Sequence, residues 1–572
     1  MTFLSCKTQS LFLTPILFSW QHFCSRVLPQ PVVVNASLVA ASYDQHGITR
    51  FFQHVCSVED QEYLRHLVEE SGCVAFVRDG SVLPRENSTS DLPMLGERPV
   101  PFQSPPGPLR HTFQLIHAGH VTGLLIPKGV TVVCGGWCQG KSTLLQALSV
   151  GMYNKVPGDG REFVCTLPTT TMVQSEKGRS VSAVDITPFA TQVRPNGPST
   201  RAFTTGQASG NTSQAAGVME ALEMGASALL MDEGTSATAF LVRDSRMQQL
   251  LVQGEGEATL TTPFLHVVQA LRVERGVSSI LVGSGCGDYL EVADVVIMME
   301  HYLPRDATVQ AKEIVRSNGG PSLPNNSSSN SSNDNNGGGG GGGDVGGYTM
   351  KVGSGLSLMK VDNSMSGVSG GSGGGSGFQS NMNGGGDGNG NGNNGNGSSN
   401  GGGSKGSNGV DDSETTNNNN SGTFSNVGAR ILRHNALQVV QEKRSSIKVL
   451  GKNLTVLQFG AVDIDIAALQ FVDVSQVRAV AHILEYIHKH KLCDGERSLA
   501  MVLDEIELVV KTRGLDGIAC FSNVGDLALP RRAEIAAAIN RIRTLKVVVA
   551  PDNVYHQPIK QHGAQTTVVG SI

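Results

Sequence analysis

The sequence has no CxxC pair, no paired-cysteine spacing and no apolar stretch long enough to cross a bilayer. Its ten cysteines, Cys6, Cys24, Cys56, Cys73, Cys134, Cys138, Cys165, Cys286, Cys493 and Cys520, fall at irregular intervals. That excludes a zinc ribbon and a disulfide scaffold and favours a reducing compartment. The strongest apolar stretch near the start, Leu11 to Phe18, is interrupted by Pro15 and falls well short of the roughly 20 residues a spanning helix needs. No membrane domain is expected. A charge excess is also lacking: 44 basic against 49 acidic residues leave −5, which excludes a wholly basic nucleic-acid coat but leaves room for a local basic patch. Acidic residues are missing from residues 1–43, where Lys7 and Arg26 are the only Lys or Arg. A transit peptide for mitochondrion or plastid, a secretory signal and a misassigned start all remain open there; the rest of the chain reads as intracellular.

Glycine is the excess, 70 of 572 residues, and most of the surplus lies between Ser317 and about Ser425. This Gly/Asn/Ser block cannot repay the entropy of ordering and reads as a disordered linker or insertion, 317–425, without chemistry. Upstream, Val58 to Val68 has helical spacing and Cys73 to Val77 reads as a strand ending at the turn pair Asp79-Gly80. Residues 44–101 are thus a small N-terminal α/β accessory domain, expected to pack on its neighbour. Over 102–316 strands (Gly129–Val133, Ala226–Met231, Ser278–Val282, Val295–Met299) alternate with helical stretches such as Lys141–Val150, which argues an α/β core with a largely parallel sheet. Beyond the block, 426–572 reads as an α+β accessory domain. It has strands within Ile447–Phe459 and helices over Ser475–His490 and Glu534–Lys546.

The strongest motif is Gly135-Gly136-Trp137-Cys138-Gln139-Gly140-Lys141-Ser142, followed by Thr143, placed between an apolar strand and a helix. Glycines let backbone N–H groups curl around phosphate oxygens, and the helix N-terminus adds positive potential. Lys141 supplies a point charge to the outer phosphates, and the Ser142 hydroxyl suits Mg²⁺. Downstream, the apolar run Ala228 to Met231 ends in Asp232 and Glu233. At a strand's carboxyl end Asp232 can reach Mg²⁺ through water, and Glu233 can polarise an attacking water. A third segment, Ser209-Gly210-Asn211-Thr212, opens a helix 23 residues before Asp232. It resembles the signature loop of ABC-type ATPases, which touches a γ-phosphate held by another subunit, and an ordinary N-capped helix is the competing reading.

These strings, with Pro157 to Glu162, Gly178 to Val181, Thr212 to Ala216, Thr235 to Thr238 and Gly287-Asp288-Tyr289, resemble the family of predicted ATPases of the ABC class. Matches extend to Phe76–Arg85, Asp473–Ala479 and Arg531–Leu545. The resemblance implies an ABC-type ATPase core between two accessory domains, ATP and Mg²⁺ as ligands, and hydrolysis in an ATP-sandwiched homodimer. It departs from the common pattern in two places. Ser284 stands roughly where a switch histidine follows the strand after Asp232-Glu233, and a hydroxyl cannot donate as an imidazolium does. The loop Gly234 to Ala239 lacks the usual aspartate, and only Gln174 or Glu176 offers a Q-loop equivalent. Slow and fast hydrolysis are equally compatible with this pattern. RNA or nucleoprotein is the partner the resemblance favours, with Arg531, Arg532, Arg541, Arg543 and Lys546 as a possible basic strip on a helix. A nucleotide-regulated scaffold and the nucleotide-binding subunit of a transporter are the competing readings.

Overall fold

The computed structural model describes residues 45–87, 90–96, 99–190, 199–244, 262–283, 285–318, 424, 429–434, 436–437, 447–450, 456–459, 462–466, 469–519 and 526–549. The leader reading of residues 1–43, most of the Gly/Asn/Ser block and Ser284 lie outside them. No described helix is long and apolar enough to cross a membrane.

Helix α1 (Gln45–Glu70) runs into strand β1 (Cys73–Arg78). The helix starts 13 residues before the periodic stretch beginning at Val58, because adding a turn to a helix already anchored by Leu64 and Val68 needs no new nucleus. Strands β2 (Arg110–Gln114), β3 (His120–Pro127) and, later, β5 (Val164–Thr166) flank β1 in an antiparallel sheet ordered β2-β3-β1-β5. Residues on either side of position 101 therefore share one sheet, and the N-terminal segment has no core of its own.

Strand β4 (Val130–Gly135) leads into α2 (Lys141–Ser149); after β5 come β6 (Thr170–Met172), β7 (Val181–Val184) and β8 (Phe203–Thr205), then α3 (Gly210–Glu223) and β9 (Ala228–Asp232). Short α4 (Thr238–Leu241), α5 (Phe264–Arg275), β10 (Ser278–Val282), α6 (Tyr289–Val292), β11 (Val295–Glu300), β12 (Leu303–Asp306) and α7 (Thr308–Ser317) complete this part. The second sheet is ordered β12-β11-β4-β10-β9-β6, parallel except for the edge strand β12. Both its faces are covered, so its strands are near-continuous apolar runs. Val132, Leu229, Met231, Leu281 and Val296 enter one core with α3 and α5. Val133, Ala228, Leu230, Ile280 and Ile297 enter the other with α2 and the antiparallel sheet. Leu144, Leu145 and Leu148 of α2 are at most 1% exposed, and burying each contributes about 2 kcal/mol.

The 317–425 block was expected to be inert throughout, but its ends are structured. Ser317 closes α7, and Phe424 is buried against Phe189. The Phe424 N–H donates to Glu274 Oε2 and its carbonyl accepts from Arg275 Nε. An aromatic ring has the apolar area to bury that glycine and asparagine lack.

From β13 (Arg430–Leu432) the chain builds a third core: β14 (Ile447–Leu450), β15 (Val456–Phe459) and β16 (Val462–Asp465) form a meander, followed by α8 (Val474–Lys489), α9 (Leu499–Arg513), α10 (Arg532–Asn540) and β17 (Val547–Val549), which pairs with β13. Helix α8 begins at a capping box between Asp473 and Gln476 and buries the expected face Val477, Val480, Ala481, Leu484 and Ile487. Helix α10 stops at Asn540, six residues short of the expected Lys546. Arg541 turns out of the helix, and Ile542 and Leu545 are buried by the ensuing turn instead.

Candidate functional site

The loop between β4 and α2 reverses direction through left-handed backbone at Gly135 (φ 140°), Cys138 (φ 57°) and Gly140 (φ 90°). A Cβ on Gly135 would lie 2.4 Å from the Met299 carbonyl oxygen, so glycine is required there for space as well as conformation. Cys138 holds this conformation without being glycine, at a cost of roughly 1 kcal/mol. Lys141 Nζ donates to the carbonyls of Gly135 (2.9 Å) and Gly136 (2.6 Å), spanning its own loop. Ser142 is exposed, Thr143 half-buried, and Trp137 at the loop's tip is 91% exposed. The β11–β12 turn, His301-Tyr302, has both residues at positive φ and leans on this loop: the His301 N–H donates to Gln139 Oε1, and Tyr302 packs on Gly140.

One strand, β10, separates β4 from β9. Val282 is aligned with Val133 on one side and Asp232 on the other. The P-loop and the two carboxylates thus emerge from the carboxyl ends of parallel strands about 10 Å apart, where ligands of such sheets bind. Asp232 Oδ1 accepts from the Gly234 N–H at 3.1 Å. Glu233 is held by the loop after β10: its N–H donates to the Val282 carbonyl at 2.8 Å, and its Oε2 accepts from the Gly285 N–H at 3.0 Å. A Cβ on Gly283 would come within 2.9 Å of this carboxylate and one on Gly285 within 2.4 Å. These two glycines flank Ser284 in the sequence, and their alternation after an apolar strand is the signal that a side chain needs the space.

Ser209 caps α3 reciprocally with Thr212, the arrangement an ordinary capped helix shows, worth about 1 kcal/mol. Ser209 is exposed, Asn211 half-buried and Gly210 buried, with room for no side chain because a Cβ would sit 2.7 Å from Ser175 Oγ. Gln214, fully buried one turn on, donates to Ser236 Oγ (2.8 Å) and accepts from the Ala237 N–H (2.9 Å). That ties the start of α3 to the loop after Glu233. The two Q-loop candidates lie just past β6. There the Ser175 N–H donates to the Thr235 carbonyl (2.9 Å), the Glu176 N–H to Ser213 Oγ (3.0 Å) and the Gly178 N–H to the Ala208 carbonyl (2.8 Å). Glu176 spends its carboxylate on Arg541, whereas Gln174 lines a small cavity beneath α10. Among the described residues no hydrogen bond joins 209–212 to 135–143.

Of the basic strip expected from Arg531 to Lys546, the four arginines all bond to other groups of the protein. Arg531 pairs with Glu534 and donates to the Pro168 and Thr170 carbonyls. Arg532 pairs with Asp504 and Glu507, Arg541 with Glu176, and Arg543 donates to the Gly206 and Gly178 carbonyls. These four cations fasten protein to protein, which accounts for their spacing in sequence by packing.

Among the described residues no three His, Cys, Asp or Glu side chains gather to hold a metal. Ser142 and Asp232 offer oxygen donors alone, a set that fits Mg²⁺ completed by phosphate oxygens and water, not a softer metal.

The P-loop domain family ABC_ATPase matches residues 48–334, and the family described as MRB1590 C-terminal domain matches 448–548. An uncharacterized protein of Methanocaldococcus jannaschii is 30% identical over 192 residues, covering 32% of this chain and 42% of its own. The chain therefore spans less than half the length of that relative.

Proposed function

Because the chain belongs to the ABC_ATPase family of P-loop domains, we propose that it binds ATP with Mg²⁺ at Gly135–Thr143 and hydrolyses it with Glu233 as general base. The observation that carries the reading is the placement of Lys141 and Glu233 at the carboxyl ends of β4 and β9. The backbone N–H groups of the P-loop and the first turn of α2 receive the phosphates of ATP. Lys141 then exchanges its two loop carbonyls for phosphate oxygens. Glu233, held by the Gly285 N–H, takes the proton of the water that attacks the γ-phosphorus; the bond to the β–γ bridging oxygen breaks, leaving ADP and phosphate. Mg²⁺, held by Ser142 and through water by Asp232, would offset the negative charge of the β- and γ-phosphates.

The homodimer sandwich belongs to the same proposal. Ser209 is exposed and, among the described residues, the start of α3 makes no hydrogen bond to its own P-loop, as a site completed by a second copy requires. Ser209→Arg should block closure while sparing nucleotide affinity. Mixed with Lys141→Ala, it should regain part of the lost ATPase activity, since one site of a mixed dimer carries neither change. Normal hydrolysis by Ser209→Arg, independent of protein concentration, would remove the sandwich. RNA or nucleoprotein as the ultimate partner finds no support in Arg531, Arg532, Arg541 and Arg543, and ATPase rates with and without RNA test it directly.

A further inference from the structure

The contacts between the C-terminal domain and the ATPase core fall in separate groups: Gln470 and Arg531 meet Ser149, Pro168, Thr170 and Met172, while Arg541 and Arg543 meet the two loops that flank the start of α3. Arg541, at the end of α10, meets Glu176 two-on-two, Nε to Oε2 at 2.9 Å and Nη2 to Oε1 at 2.5 Å, with both side chains mostly buried. Such a forked pair fixes direction as well as distance. From Glu176 the path is continuous: its N–H donates to Ser213 Oγ (3.0 Å), and the Ser213 hydroxyl donates to the Gly210 carbonyl (2.9 Å). Two residues on, Arg543 donates to the Gly206 carbonyl (2.9 Å) and the Gly178 carbonyl (3.3 Å). The loops it bridges are already one unit, joined by Gly178 N–H to Ala208 O and Ala208 N–H to Arg179 O. The far end of α3 is held the same way, where buried Arg430 grips Glu223 and the Ser182 carbonyl. Each of these cations comes from residues 430–543, and their partners bracket α3 at both ends.

We propose that Arg541 and Arg543 are positioning residues for ATP turnover, through which the C-terminal domain sets the placement of Ser209 and Gly210. The inference rests on reading those residues as the signature loop. Docking is already served by Arg531 on the Pro168 and Thr170 carbonyls, whereas Arg541 and Arg543 reach both loops at this helix start. A displacement of the 541–543 turn by whatever engages the C-terminal domain is passed to Gly210 through three directional contacts, without touching the P-loop.

The test uses the full chain, with Arg541→Ala, Arg543→Ala, the exchange Glu176→Arg with Arg541→Glu, and Arg532→Ala as a control whose partners all lie within the C-terminal domain. Arg541→Ala should lower kcat about tenfold with KM and fluorescent-nucleotide affinity within about twofold and the number of nucleotide sites per chain unchanged, a stoichiometry that loss of folded protein would reduce. The charge exchange should restore most of kcat, and Arg532→Ala should leave it unchanged. Hydrogen exchange at amides 206–213 should quicken in Arg541→Ala and Arg543→Ala but not in the control. Unchanged kcat in both variants, or unchanged exchange at 206–213, overturns the proposal. If Ser209→Arg hydrolyses ATP normally, the signature reading fails separately, and the exchange measurement still decides whether Arg541 places the loop.

Discussion

Two loops in this molecule open helices at the candidate site, and they are built in opposite ways. The P-loop closes on itself: Gly135, Cys138 and Gly140 supply its conformation and Lys141 bridges its own carbonyls, with Met299 and the His301-Tyr302 turn leaning on it. The Ser209–Gly210 loop is assembled from outside, by Ser175 and Glu176, by the 235–237 stretch through Gln214, and by Arg543 some 330 residues away in sequence. A local loop can be altered at the expense of its ligand alone. An assembled one transmits changes made elsewhere, and its parts also carry stability.

The sharpest contrast should come from Glu233→Gln, which keeps the contact to Gly285 but accepts a proton poorly. Turnover should fall on the order of 10³-fold in a phosphate-release assay while nucleotide affinity holds. Next is Arg179→Met on the assembled side. It leaves buried Glu220 without its 2.9 Å partner and frees the Ser213 carbonyl, and should cost about 3 kcal/mol in denaturant unfolding. Lys141→Ala should do the reverse: affinity for a fluorescent nucleotide drops on the order of 100-fold with the unfolding midpoint nearly unmoved. A large stability loss in Lys141→Ala would break the comparison, because the P-loop would then be structural as well. The smallest effect is expected from Gly285→Ala, whose Cβ would meet Glu233 Oε1 at 2.4 Å. The carboxylate must shift, and kcat should fall about tenfold with affinity intact.

The same contrast explains what could be read in advance. Strand β4, the P-loop, helix α2 and the Asp232-Glu233 strand end were legible because each is a short-range pattern: apolar run, glycine spacing, helix start. The family assignment followed from those strings and agrees with the match over 48–334. What depended on distant partners was not legible. Nothing local to Cys73–Arg78 says that it pairs with β3 and β5. Nothing local to Arg541 says that its charge is directed at Glu176 and not at solvent. The apolar spacing Ile539, Ile542, Leu545 looked helical, yet a turn buries the last two equally well once β17 pairs with β13. Gln214 stood inside a quoted motif without a role, since its two partners are reached only after β9 returns the chain beside α3.

Phe424 has a consequence for how the protein would respond to cleavage. Helix α7 closes at Asn318, and Phe424 lies in the ATPase core, edge-on to Phe189 and bonded to Glu274 and Arg275. Beyond it, the Arg430–Glu223 and Arg541–Glu176 pairs and the Arg531 contacts to the Pro168 and Thr170 carbonyls hold the rest. The covalent connection across residues 319–423 thus duplicates a joint that side chains already make. A protease cutting there should yield two fragments that co-elute as one particle, and two separately expressed halves divided in that stretch should reconstitute the parent by complementation.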